Sequence, residues 1–383
     1  MSRKARTLVC LFTGAACALA WGQSNPSAYV YVSSNYSGSN NRTVAFWANT
    51  SGQLAPIPGS PFPNNITSMA VNGKFLFGSD NVPNDNGRNI YSYLIQSNGV
   101  LKYLGATNIQ KWASEDNCND GENLLLDHSG GYLYSYVVEA NCNSGTAFES
   151  FKVNWSTGML SYLGMSSPNT FTLGPPLTFA TNNVFAYAAG GNGSYSGVNG
   201  YQKQANGNLT DLKQSYPLPS GTPSANSVTY SWFATADTTN HLALVLYYAG
   251  STSNGVTKIA TYAINTTTGQ LTTNSTYSNM PTSAVGTPTA TAMAPSGKLL
   301  AVGGQNGLQL FNFNPSGQAT PFSQLITRSP IAMMYWDNQN HLYAISNTDS
   351  DIHVFTLTST GATEVQGSPW PVPHPVAMIV QPK

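Results

Sequence analysis

One phrase recurs seven times along the 383-residue chain. At Ile259–Leu271 it reads Ile-Ala-Thr-Tyr-Ala-Ile-Asn-Thr-Thr-Thr-Gly-Gln-Leu. Ile259, Thr261 and Ala263 alternate with Ala260, Tyr262 and Ile264, which is the two-residue period of a pleated strand. A polar turn follows, and its glycine reaches positive φ without steric cost. The turn glycines are Gly52, Gly99, Gly158, Gly207, Gly269, Gly317 and Gly361, at intervals of 47, 59, 49, 62, 48 and 44 residues. An aromatic stands about six residues before each one: Trp47, Tyr93, Phe151, Tyr201, Tyr262, Phe311 and Phe355. Three residues before each aromatic is an aliphatic or aromatic side chain: Val44, Ile90, Phe148, Val198, Ile259, Leu308 and Ile352. A strand-rich repeat of roughly 40 to 50 residues is the sequence form of propeller blades. The expected fold is all-β: a seven-bladed β-propeller of four-stranded antiparallel blades.

The chain ends predict how the ring closes. With strands named A to D from the axis outwards, A strands are read at Ile66–Val71, Asn123–Asp127, Leu177–Ala180, Val228–Ala234, Pro288–Ala294, Ile331–Trp336 and Val376–Val380. Turn formers such as Asn72-Gly73-Lys74 and Ser296-Gly297-Lys298 lead from A into B. Ala28-Tyr29-Val30-Tyr31-Val32 opens strands B, C and D of a blade that lacks an A strand, whereas Pro375–Lys383 is an A strand with nothing after it. Joining the two completes the seventh blade and removes an exposed sheet edge.

Charge excludes some partners. Only 8% of residues are charged, against about 25% in ordinary domains. Lys+Arg and Asp+Glu both number 15, and no basic run follows Arg6. Neither nucleic acid nor an anionic membrane surface is an expected partner. At the N-terminus, Arg3, Lys4 and Arg6 precede the apolar Leu8–Ala20, which is too short to span a bilayer, and Ala18-Leu19-Ala20 offers a small-x-small cleavage site with Ala20-Trp21-Gly22 a close rival. Residues 1–22 therefore read as a signal peptide and 23–383 as a single propeller domain. The reading is an exported monomer, periplasmic or extracellular, without a transmembrane segment. Cys17, after Gly14-Ala15-Ala16, offers an alternative as a lipid acceptor, although Gly14 stands where an aliphatic is wanted.

Several phrases carry a family resemblance: Ala28–Val32, Ser51–Leu54, Thr157–Leu160, Thr268–Leu271, Ala294–Val302, and the endings Gly59-Ser60-Pro61-Phe62 and Gly367-Ser368-Pro369-Trp370. Across its mature length the chain resembles the lactonase-type seven-bladed propellers. These are the 6-phosphogluconolactonase and muconate-cycloisomerase relatives among the YVTN-repeat proteins. The resemblance implies a site at the channel mouth built from Arg, Glu and a His-rich segment before one inner strand. The matching segment, Asn119-Asp120-Gly121-Glu122-Asn123-Leu124, holds Glu122 but no His.

Because strands alternate direction, the D–A and B–C loops share one face. Lys111–Glu122 brings Trp112 and four of the 15 acids to it: Glu115, Asp116, Asp120 and Glu122. Arg42, Arg88 and Arg328 add three of the five arginines, and His374 lies in the last D–A loop, near Trp370. Arginine matches carboxylate or phosphate with its planar donor fork, and tryptophan stacks on rings. The reading is a binding module for a small anionic or sugar-like ligand, a carbohydrate or a protein. The alternative is a sugar-lactone hydrolase, with Arg88, Glu122, Arg328 and His374 as its catalytic candidates. No cofactor or metal is expected, since the acidic run at 115–122 lacks the regular ligand spacing of a calcium loop. His128, His241 and His341 fall at A–B turns on the opposite face, and His353 falls inside a C strand.

Once the signal is removed, two cysteines remain in an oxidising compartment. Cys118 and Cys142 flank a hairpin read as Glu122–Asp127 and Tyr132–Glu139, and a register centred on Gly130 sets them opposite each other. A Cys118–Cys142 disulfide is the expected outcome. Mass spectrometry of the exported protein should show the shift on reduction, and two free thiols would refute the pairing.

Overall fold

The structure is a computed structural model. It describes residues 25–35, 41–64, 66–79, 89–108, 120–138, 146–166, 173–192, 195–216, 218–222, 229–249, 255–314 and 318–383. These residues form seven antiparallel sheets and no helix, so none of them is in a helix long and apolar enough to cross a membrane. Blades are numbered by chain order. Their innermost strands are Pro375–Pro382 (blade 1), Ser68–Val71, Asp120–Leu126, Leu173–Phe179, Thr229–Ala236, Pro288–Met293 and Met333–Trp336 (blade 7). Each innermost strand touches the next around the axis, and that of blade 7 touches that of blade 1.

The closure is the one the chain ends predict. Ala28–Asn35 pairs on one side with Asn41–Ala48 and on the other with Pro375–Pro382, from Ala28↔Pro382 to Val32↔Met378. In blades 5 and 7 the outer strand is split. Both Leu271–Thr272 and Thr282–Ser283 pair with Val256–Ile264, and both Gly361–Glu364 and Trp370–Pro371 pair with Asp351–Thr358.

The core consists of seven apolar clusters, one in each interblade cleft. The repeated phrase explains why. Gly207 has φ 95°, and a Cβ there would lie 2.2 Å from the Tyr132 ring of the preceding blade. Gly269 repeats this with φ 73° and Phe185 at 2.6 Å. In the same contacts Tyr134 and Tyr187 donate hydroxyl bonds of 2.8 Å to Gly207 O and Gly269 O. The glycine therefore both turns the chain and receives the aromatic wall of its neighbour.

Two expectations need correction. Gly361 does not sit in a left-handed turn: it pairs with Thr358 and opens the outer strand, because the blade 7 turn closes over fewer residues. In the blade 3 hairpin Leu126 pairs with Leu133 and Asp120 with Val138, so paired indices sum to 259 and then 258 rather than 260. The hairpin is centred between Ser129 and Gly130, and a bulge between Glu122 and Leu124 takes the sum from 259 to 258. Cys118 and Cys142 themselves, and Gly317, lie outside the described residues.

Truncation after Gln366 removes the strand that seals blade 1 and bares the edge of Ala28–Asn35. The shortened protein should aggregate or lose its cooperative melt. An unchanged melting temperature would contradict closure by the terminal strand.

Candidate functional site

On the D–A and B–C face, the described residues form a cleft between blades 5 and 6. It encloses about 570 Å³ and is lined by Ala284, Gln305, Asn306, Gln324, Leu325 and Arg328. Its rigid part is the hairpin turn Gly304-Gln305-Asn306-Gly307, wedged between two backbone segments. Gln305 N donates to Thr287 O (3.0 Å) and Asn306 N to Val285 O (2.8 Å). A Cβ on Gly304 would sit 2.5 Å from Val285 O, and one on Gly307 would sit 2.0 Å from Thr327 O and 3.0 Å from Arg328 Cα. Neither position admits a side chain without moving backbone. The two glycines thus let the turn press against blade 5 and against the Arg328 connection together.

Beneath the turn, the buried Gln309 ties the walls together. Its Oε1 accepts from Ser283 Oγ (3.1 Å) and Ala284 N (2.8 Å), and its Nε2 donates to Ser323 O (3.0 Å). Register shifts on both sides of Gln309 bulge the outer strand Thr320–Thr327, where Gln324 sits. Bulges redirect side chains in this way. The Arg328 side chain is exposed and has no hydrogen-bond or ion-pair partner among the described residues. The cleft therefore presents one free guanidinium beside three primary amides.

The other sequence candidates are dispersed. Arg42 is exposed and pairs across the sheet with Ser34, which pairs on its other side with Pro375 beside the exposed His374. Arg42 and His374 therefore share one end of blade 1. Trp370 is half-buried, pairs with Ile352 and packs against the cluster between blades 7 and 1. None of the three lines the Arg328 cleft. Asp120 and Glu122 belong to the innermost strand of blade 3, but their side chains are outside the described residues, as are Arg88, Trp112, Glu115 and Asp116. His128 and His341 border A–B turns as expected, and His353 Nδ1 lies 2.7 Å from Glu364 Oε1 within blade 7.

Sequence reading passed over Gln305, Asn306 and Gln324 because they carry no charge. The signal was the Gly303-Gly304-Gln305-Asn306-Gly307 run, a glycine-bounded turn with amides at its tip. It also passed over Glu149, which lies two residues before the strand C aromatic of blade 3. At that repeat position blade 6 has Gln309 and blade 7 has His353, both hydrogen-bonded. Glu149 is 1% exposed, and neither carboxyl oxygen has a partner among the described residues. Ser135, directly opposite on the next strand, is also buried, and its hydroxyl has no partner among the described residues. Burial pushes the Glu149 carboxyl from 4.5 up to about 8.

No protein-family model and no curated protein matches the sequence. Solved structures do match over nearly the whole chain. The periplasmic gluconolactonase of Pseudomonas aeruginosa is 15% identical, with a TM-score of 0.68 over 92% of this chain and 99% of that one. A candidate 6-phosphogluconolactonase of Bacteroides uniformis is 14% identical, with a TM-score of 0.68 over 93% and 100%. One from Bacteroides fragilis is 15% identical, with a TM-score of 0.64 over 92% and 97%. At these identities the likeness is one of fold: the protein is a seven-bladed β-propeller. More particularly, it has the fold of the lactonase-type propellers.

Glu149 yields a pH prediction. Its folded-state carboxyl holds a proton that the unfolded chain releases near 4.5, so stability should fall as pH rises from about 4.5 to about 8 and then level off. Glu149→Gln should remove that fall, amounting to a few kcal/mol at the alkaline end. Denaturant melts of both proteins across this range check it, and parallel pH profiles would contradict it.

Proposed function

We propose that the protein is an exported lactonase-type propeller that binds a small anionic or sugar-like ligand, or a protein, on its D–A and B–C face. The supporting observation is the unpartnered Arg328 in a polar cleft on that face. Arg328 stands there beside neutral hydrogen-bonding groups, two of them on a turn held by backbone bonds. Export rests on the N-terminal signal, and the Cys118–Cys142 bridge belongs to the same reading.

The second reading is lactone hydrolysis. Its support is the fold shared with the Pseudomonas gluconolactonase, together with Glu122 on an innermost strand. Against it stands the segment 119–124, which lacks the histidine that the family resemblance leads one to expect.

Two measurements on the purified protein separate the readings. A thermal-shift screen of sugars, sugar acids and phosphorylated metabolites should find a ligand that raises the melting temperature of the wild type but not of Arg328→Ala. Assays on several sugar lactones should show no turnover. Lactone turnover that is lost in Arg88→Ala or Glu122→Ala would overturn the binding reading in favour of hydrolysis.

A further inference from the structure

The geometry points to an off-axis site in the cleft between blades 5 and 6 for a hydroxylated monocarboxylate, that is, a sugar acid held by its carboxylate on Arg328. This inference deepens the binding reading and rests on it. It differs in place, since the family resemblance directs attention to the channel mouth. None of the residues lining the cleft belongs to an innermost strand. They come instead from the B–C turn and outer strand of blade 6 and from the outer part of blade 5.

The chemistry of the lining selects the ligand. A guanidinium offers parallel N–H donors that a carboxylate accepts two at a time. Arg328 is the one charged group lining the cleft among the described residues, so it balances a single negative charge. A phosphate dianion would keep one charge uncompensated, and a neutral sugar would leave the guanidinium unused. Gln305, Asn306 and Gln324 each carry two N–H donors and one acceptor oxygen. That mixed set complements hydroxyl groups, each of which both donates and accepts. Leu325 and Ala284 supply the only apolar surface of the lining, enough for one C–H face of a small chain or ring. A cavity of about 570 Å³ fits a monosaccharide-sized molecule with water.

The site is also held in shape before any ligand arrives, which lowers the ordering cost of binding. Asn306 is positioned over Gly286, where a Cβ would lie 2.7 Å from Asn306 Nδ2. Gly286 O in turn accepts from Thr257 Oγ1 (2.6 Å), and the buried Gln309 fixes Ser283, Ala284 and Ser323. The same chemistry occurs in a free aldonate or uronate and in the uronate units of a polysaccharide.

Isothermal titration of the full mature protein tests the assignment, with sodium gluconate, sodium galacturonate, an oligogalacturonate, glucose and inorganic phosphate as probes. The sugar acids should bind at least about tenfold more tightly than glucose or phosphate. Arg328→Ala should cost about tenfold for the acids and leave the melting temperature unchanged. Arg328→Lys should recover only part of that loss, because the donor fork is gone. Asn306→Asp should weaken the acids too, by pairing with Arg328 and repelling the anion. Tighter binding of the oligomer assigns the polysaccharide source, and equal binding assigns the free acid. Sugar-acid binding that survives Arg328→Ala would overturn the cleft while sparing the broader reading. Tighter binding of phosphate, or binding of none of the probes, would overturn the ligand class. Lactone turnover would overturn the binding reading itself.

Discussion

The structure depends on a contact repeated at Gly99, Gly158, Gly207 and Gly269: the aromatic wall of a strand B packed onto the turn glycine of the next blade. No blade buries both faces of its own sheet, so each must be covered by its neighbours, and the apolar material lies between blades rather than within one nucleus. Fully burying a tyrosine or phenylalanine contributes roughly 1.5–3 kcal/mol, and the hydroxyl bonds to Gly99 O, Gly207 O and Gly269 O orient it. At the seam, His341 takes the aromatic place against Gly52, with its Nδ1 2.8 Å from the buried Asp337. The closing pair of blades thus uses a polar version of the same contact.

Such a ring gives all its covering to its neighbours only if it closes. The pairing of Ala28–Asn35 with Pro375–Pro382 supplies that closure, and it links the two ends of the chain through sequence-distant backbone bonds. Interblade cores, glycine contacts and the cleft between blades 5 and 6 all presuppose it.

The fold was legible because its cause is periodic. Seven glycines in phase with seven aromatics reveal the blades, and the mismatched ends reveal the seam. The departures came where local chain length overrode the period, as at Gly361, or where a bulge shifted the register, as beyond Leu124. The site was far less legible. Scarce charge drew attention to Arg42, Arg328 and His374, and the structure leaves Arg42 and His374 on blade 1 with Arg328 on blade 6. The neutral Gln305, Asn306 and Gln324 carry no mark in a chain rich in amides, because what distinguishes them is the backbone wedge that holds them. Glu149 was hidden differently. Its burial follows from the repeat position, but its missing partner shows only when Gln309 and His353 are seen bonded in equivalent places.

The irregular turn and the regular ring therefore divide the work. Repetition builds a closed frame, and one glycine-wedged departure from it turns a cation and three amides toward solvent. The most direct test is a crystal structure of the protein grown with galacturonate. The account predicts the sugar carboxylate in bidentate contact with Arg328 and its hydroxyls on Gln305, Asn306 or Gln324. A ligand seated in the central channel, with Arg328 still unengaged, would contradict it.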